Sequence, residues 1–115
     1  LLFENVAAIA EMMVVAERAG VTGEKLIEAV GLGSGNSFAL QNHAKKAMAP
    51  REFPLKAFPS TYTLKDLGYA IELAEQMGVT PRVAQLAASF YQRAVDEGFG
   101  EEYFPAIIKL ADQQS

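Results

Sequence analysis

Lys65-Asp66-Leu67-Gly68-Tyr69-Ala70 places a cation and an anion side by side at what reads as the first turn of an apolar helix. A lysine there would sit beside unpaired backbone N–H groups and the positive end of the helix dipole, an unfavourable place for it. The cost makes sense if an anion binds in the same place. Asp66 is favoured at a helix start, so its simplest role is to stabilise the first turn. Gly68 costs on the order of 1 kcal/mol relative to alanine inside a helix. It fits a helix that something approaches closely beside Lys65. Phe58 and Tyr62 bring aromatic surface to the same region.

Other candidates carry less chemistry. Gly31-Leu32-Gly33-Ser34-Gly35-Asn36 is rich in glycine, but no strand precedes it and no Gly-Lys-Ser/Thr follows, so it does not qualify as a phosphate loop. His43 is the only histidine and reads as a surface residue beside Lys45 and Lys46. No serine or acid is spaced to partner it as a base. No cluster of His, Asp or Glu has metal-ligand spacing, so no metal is expected. Met12-Met13 reads as core, and Tyr69 and Tyr91 read as packing residues.

The elements that position Lys65 and Asp66 are helical, and no segment sustains strand alternation. The first helix runs to Ala19-Gly20 with apolar residues at Leu2, Val6, Ile9, Met13 and Ala16. Glu4, Glu11 and Arg18 make a narrow polar stripe along it, so it should be largely buried. Thr22 caps a short helix, Glu24 to Val30. A third helix spans Ser37 to Met48. Pro50 to Pro59 is an irregular connector. Ser60, Thr61 or Thr63 caps the next helix, which stops at Gly78. Its apolar face is Leu64, Leu67, Ile71 and Ala74. Thr80-Pro81 opens another, with Val83, Leu86, Ala87, Phe90 and Ala94 on one face. Phe104-Pro105 starts the last, and Gln113-Gln114-Ser115 reads as a frayed end. The motifs Ala16-Glu17-Arg18-Ala19-Gly20-Val21-Thr22 and Ala74-Glu75-Gln76-Met77-Gly78-Val79-Thr80 share one turn chemistry. The expected fold is therefore all-α, a single domain of five to six helices.

The totals agree with this. The chain has 115 residues, half of them hydrophobic, enough for one core. A net charge of -4 argues against a nucleic-acid partner. No apolar run reaches the roughly 18 residues of a membrane span, and no polybasic run exists, so no membrane partner is expected. There is no cysteine, which excludes disulfides and thiolate chemistry. A cytoplasmic location is the simplest expectation. Leu1-Leu2-Phe3 opens without a cap or turn signal, so we expect a piece of a longer protein, cut inside or just before a long helix.

Thr63-Leu64-Lys65-Asp66-Leu67-Gly68-Tyr69-Ala70 resembles the Lys-Asp-Leu-Gly-x-Ala signature of the β-hydroxyacid dehydrogenases. That family includes 3-hydroxyisobutyrate dehydrogenase and tartronate semialdehyde reductase and is related to 6-phosphogluconate dehydrogenase. Ala10-Glu11, Ala16-Glu17-Arg18-Ala19-Gly20-Val21 and Gly33-Ser34-Gly35-Asn36-Ser37 are similar to family segments as well, as is Phe58. The resemblance spans essentially all 115 residues. Tyr103 stands where the family often has an acidic residue, and Pro105 where serine is common, so no contact is carried over from that segment.

The resemblance implies that residues 1–115 are a C-terminal helical substrate and dimerisation domain, with the N-terminal Rossmann domain absent. It implies hydride transfer between a small 3-hydroxyacid, of the 3-hydroxyisobutyrate or tartronate semialdehyde type, and NAD or NADP. Lys65 and Gly68 would bind the cofactor, and Phe58 and Asp66 the substrate. The family's catalytic lysine would fall upstream of Leu1, so the chain alone is expected to be inactive, with no cofactor bound; its nearly all-apolar first helix leads us to expect that it forms a homodimer. The alternative from the residues alone is a stand-alone helical module for protein interaction or dimerisation.

Overall fold

In a computed structural model, residues 1–114 are described, and Ser115 lies outside them. The described residues form five α-helices: α1 Leu2–Arg18, α2 Gly23–Gly31, α3 Ser60–Gln76, α4 Arg82–Asp96 and α5 Ile108–Asp112. A π-helix, Leu40–Met48, lies between α2 and α3, and a 3₁₀ turn, Phe104–Ile107, leads into α5. The all-α expectation holds. Among the described residues there is no strand, only the isolated antiparallel bridges Leu55–Glu102 and Pro59–Tyr103.

The α1 helix is the hub, in contact with α2, the π-helix, α4, the 3₁₀ turn and α5. Val6 and Met13 are fully buried on it, whereas Met12 and Val15 are more than half exposed. It is therefore less enclosed than its composition suggests, and only one of the paired methionines is core. Thr22 caps α2 as expected, its hydroxyl accepting from the Lys25 N–H at 3.2 Å.

Three helices end alike. Gly20, Gly78 and Gly98 adopt φ of 94°, 77° and 95°. The next residue's N–H then reaches back across the last turn: Val21 to Ala16, Val79 to Ala74 and Phe99 to Ala94, at 2.8, 2.9 and 3.0 Å. This is the Schellman arrangement, which needs a residue at ease in the left-handed region. The sequence echo is thus a recurring helix stop, present a third time at Gly98.

The middle helix departs from expectation in its winding. Ser37 caps it, accepting from the Leu40 N–H at 3.0 Å. Its wider i→i+5 winding extends to its end, where the Ala49 N–H bonds the Ala44 carbonyl at 2.8 Å. The chain then turns through Arg51, a non-glycine residue at φ 56°.

That turn is held by charge. Arg51 meets both Asp112 oxygens, Nε to Oδ2 at 3.0 Å and Nη2 to Oδ1 at 2.9 Å. It also reaches Glu17 Oε1 at 2.6 Å and the Met48 carbonyl at 2.6 Å. One guanidinium so joins the ends of α1, the π-helix and α5. Arg18 adds a bond to the Asp112 carbonyl at 3.2 Å and another to the Gln114 carbonyl. The chain is therefore anchored as far as Gln114 rather than frayed.

The α3 and α4 helices pack as an antiparallel hairpin. On α4 the buried residues are Ala87, Tyr91 and Ala94, while Val83 and Leu86 stay exposed. The expected apolar face is therefore rotated toward Tyr91, which the core takes in completely.

Candidate functional site

The Lys65–Asp66 pair does not stand in the first turn. The α3 helix begins at Ser60, with extended Pro59 as its N-cap and no capping side chain. The early N–H groups are already used: Thr61 bonds the Gly100 carbonyl at 3.1 Å, and Tyr62 and Thr63 bond that of Pro59 at 3.0 and 3.1 Å. Lys65 lies a turn deeper, where the dipole effect has largely faded. A helix-start anion site is therefore not what the fold provides. Pro59 sets this register as an extended N-cap, so that Ser60, Thr61 and Thr63 lie inside the helix rather than before it.

What the fold provides is a groove on the outer face of α3. Phe58, Tyr62, Lys65, Asp66 and Tyr69 line it together. Lys65 and Asp66 are both exposed. Among the described residues neither side chain makes a hydrogen bond or an ion pair. Tyr69 is 60% exposed, so it is a groove residue and not a packing one. Gly68 is open as well: a methyl group there would meet no other segment within 4 Å. Nothing in this chain requires glycine at that point. Any close approach must come from outside it.

Phe58 is positioned from the core outward. It stacks on Phe3 at 6.0 Å and 14°, and meets Phe104 edge-on at 6.1 Å. Its carbonyl accepts the Phe104 N–H at 2.9 Å, and the Tyr103 N–H bonds the Pro54 carbonyl at 3.1 Å. These bonds pin the proline-rich connector to the strand-like stretch before the 3₁₀ turn. Phe58 is left 38% exposed, one face in the aromatic core and one in the groove. Phe3 had no mark in the sequence beyond its place in a Leu-Leu-Phe run.

His43 is buried, contrary to the surface reading. It sits within 5.2 to 6.1 Å of the rings of Phe38, Tyr103 and Phe104. Its Nδ1 is enclosed without a hydrogen-bond partner. Burial, and secondarily Lys46, holds its pKa below the usual 6.5, so it is a neutral core ring. No group of His, Asp or Glu among the described residues could hold a metal ion.

Residues 1–111 match the family described as NAD-binding of NADP-dependent 3-hydroxyisobutyrate dehydrogenase. The chain belongs to this family. It is 29% identical over 111 residues to the 2-(hydroxymethyl)glutarate dehydrogenase of Eubacterium barkeri, covering 96% of this chain and 36% of that protein. It is 29% identical over 106 residues to the L-threonate dehydrogenase of Haemophilus influenzae, covering 92% and 35%. The crystal structure of 3-hydroxyisobutyrate dehydrogenase from Salmonella typhimurium superposes with a TM-score of 0.87 at 26% identity, covering 96% of this chain and 38% of that one. The chain thus spans about a third of the length of the relatives it matches. No helix is long and apolar enough to cross a membrane among the described residues.

Proposed function

We propose that this chain is the C-terminal helical domain of an NAD- or NADP-dependent oxidoreductase acting on a small 3-hydroxyacid. One observation carries the reading: an exposed, unpaired lysine and aspartate share a groove with an aromatic side chain anchored in the core. Family membership supports it. In the intact protein a dinucleotide-binding domain would face this groove.

The residues suit the group they would hold. The Lys65 ammonium is free for a phosphate or carboxylate, and the open flank at Gly68 admits a bulky ligand against the helix backbone. The nicotinamide supplies the hydride acceptor when bound. Asp66 accepts a hydrogen bond from a substrate hydroxyl and so orients the acid. Phe58 gives the carbon skeleton an apolar wall. The proton-transfer lysine lies upstream of Leu1 in this reading, so the isolated chain is inactive.

The reading includes a homodimer. Leu73, Met77, Val79, Val83 and Leu86 are each more than half exposed toward the far end of the α3–α4 hairpin. Apolar surface of that extent supports association. A clean monomer at high concentration in sedimentation would overturn it.

The test of the site is Lys65→Ala in the intact protein. We expect KM for the dinucleotide or the acid to rise about tenfold or more, the loss of one charge-assisted hydrogen bond. The exposed position should leave the melting curve unchanged. Unaltered kinetics would remove Lys65 from the site.

A further inference from the structure

We infer that Tyr62 is a specificity-determining residue of this site, selecting acids that carry a second hydroxyl group over acids with an alkyl group in its place. The inference rests on the functional reading above and deepens it. Tyr62 shares the groove with Phe58, Lys65 and Asp66. Its ring stands edge-on to Phe58, with centroids 5.8 Å apart and planes at 79°. Phe58 is itself stacked on Phe3 and set against Phe104, which is only 2% exposed. The tyrosine ring is therefore braced through Phe58 on the buried core. Its hydroxyl makes no hydrogen bond among the described residues, and the side chain remains 59% exposed.

Asp66 follows one turn later on the same face of α3. The two side chains offer complementary chemistry. The carboxylate only accepts hydrogen bonds, whereas the phenol both donates and accepts. Together they match a substrate with hydroxyls on neighbouring carbons. An alkyl group in place of the second hydroxyl would take water from the phenol and return no hydrogen bond. Sites that hydrogen-bond a substrate hydroxyl discriminate against analogues lacking it for this reason.

The test uses the intact protein with glycerate and 3-hydroxyisobutyrate, which differ by a hydroxyl against a methyl on the carbon beside the carboxylate. Tyr62→Phe keeps the ring and removes the hydroxyl. It should lower the ratio of kcat/KM for glycerate to that for 3-hydroxyisobutyrate by roughly three- to tenfold, the loss of one hydrogen bond. Tyr62→Leu, which also removes the brace on Phe58, should lower the ratio at least as far. An unchanged ratio in either variant overturns the inference. Failure of the unsubstituted protein to oxidise either acid with NAD or NADP would instead overturn the dehydrogenase reading, and the inference with it. That outcome is visible before any variant is made.

Discussion

Tyr91 donates its hydroxyl to the carbonyl oxygen of Phe3 at 2.8 Å, joining α4 to the first turn of α1. The tyrosine is fully buried, and burial pushes its phenol pKa far above the ordinary 10.0, so it remains a donor at every physiological pH. Phe3 in turn stacks on Phe58. One hydrogen bond in the core therefore stands two residues away from the groove wall.

Removing that hydroxyl should cost stability and little else in the fold. Tyr91→Phe keeps the ring contacts with Phe3 and Phe104 and loses one buried hydrogen bond, about 1 kcal/mol. The expected fall in Tm is about 4 °C for a chain of this size. Thermal unfolding followed by circular dichroism reads it directly. A variant as stable as the parent would mean that the bond contributes nothing net.

The Arg51 turn makes a two-part prediction. Its guanidinium is 28% exposed and its carboxylate partners Glu17 and Asp112 are 30% and 39% exposed, so solvent screens the pairs and the network contributes only about 1–2 kcal/mol. Arg51→Ala should destabilise by about that amount, with a smaller difference in high salt. Arg51→Gly loses the same contacts but relieves the φ of 56°, and should be about 1 kcal/mol more stable than the alanine variant. Urea midpoints at low and high salt separate the two contributions. Equal stabilities would show that the turn is unstrained.

These residues also mark what a sequence can reveal. Helix number, the Gly20 and Gly78 stops and the Thr22 cap were legible because each is decided within a few residues. Lys65, Asp66 and Phe58 were found as a group, and the groove holds them together. The start of α3 lies one to four residues earlier than the Ser60, Thr61 or Thr63 caps imply, because Pro59 is the N-cap and the Gly100 carbonyl, distant in sequence, takes the Thr61 N–H. Arg51 carried no signal, since both its carboxylates come from other elements. His43 looked exposed because two lysines follow it closely, yet the π-helix turns it toward Phe104.

The buried His43 gives the protein a pH dependence of predictable sign. Its pKa is lowered on folding, by burial first and Lys46 second. As pH falls below the ordinary value of 6.5, the unfolded chain binds a proton that the folded chain resists. Stability present above that pH is therefore lost as pH drops toward the folded value. His43→Leu removes the titration, and also the enclosed Nδ1 that lacks a partner. The parent should lose stability relative to this variant between about pH 7 and pH 5. Urea unfolding at both values measures the difference. Parallel losses in the two proteins would rule out His43 as a contributor.

Gly68 separates what the helix wants from what the site needs. It is exposed within α3, and a methyl group there meets no other segment within 4 Å. Helix propensity alone then makes Gly68→Ala stabilising by about 0.5–1 kcal/mol in this chain. In the intact protein the same methyl would stand where we propose that a dinucleotide approaches beside Lys65. We expect the variant to melt higher and to show a severalfold rise in KM for the dinucleotide. The two measurements are independent. A higher Tm with unchanged KM would leave Gly68 outside the binding site, and a lower Tm would mean that another part of the intact protein already packs against it.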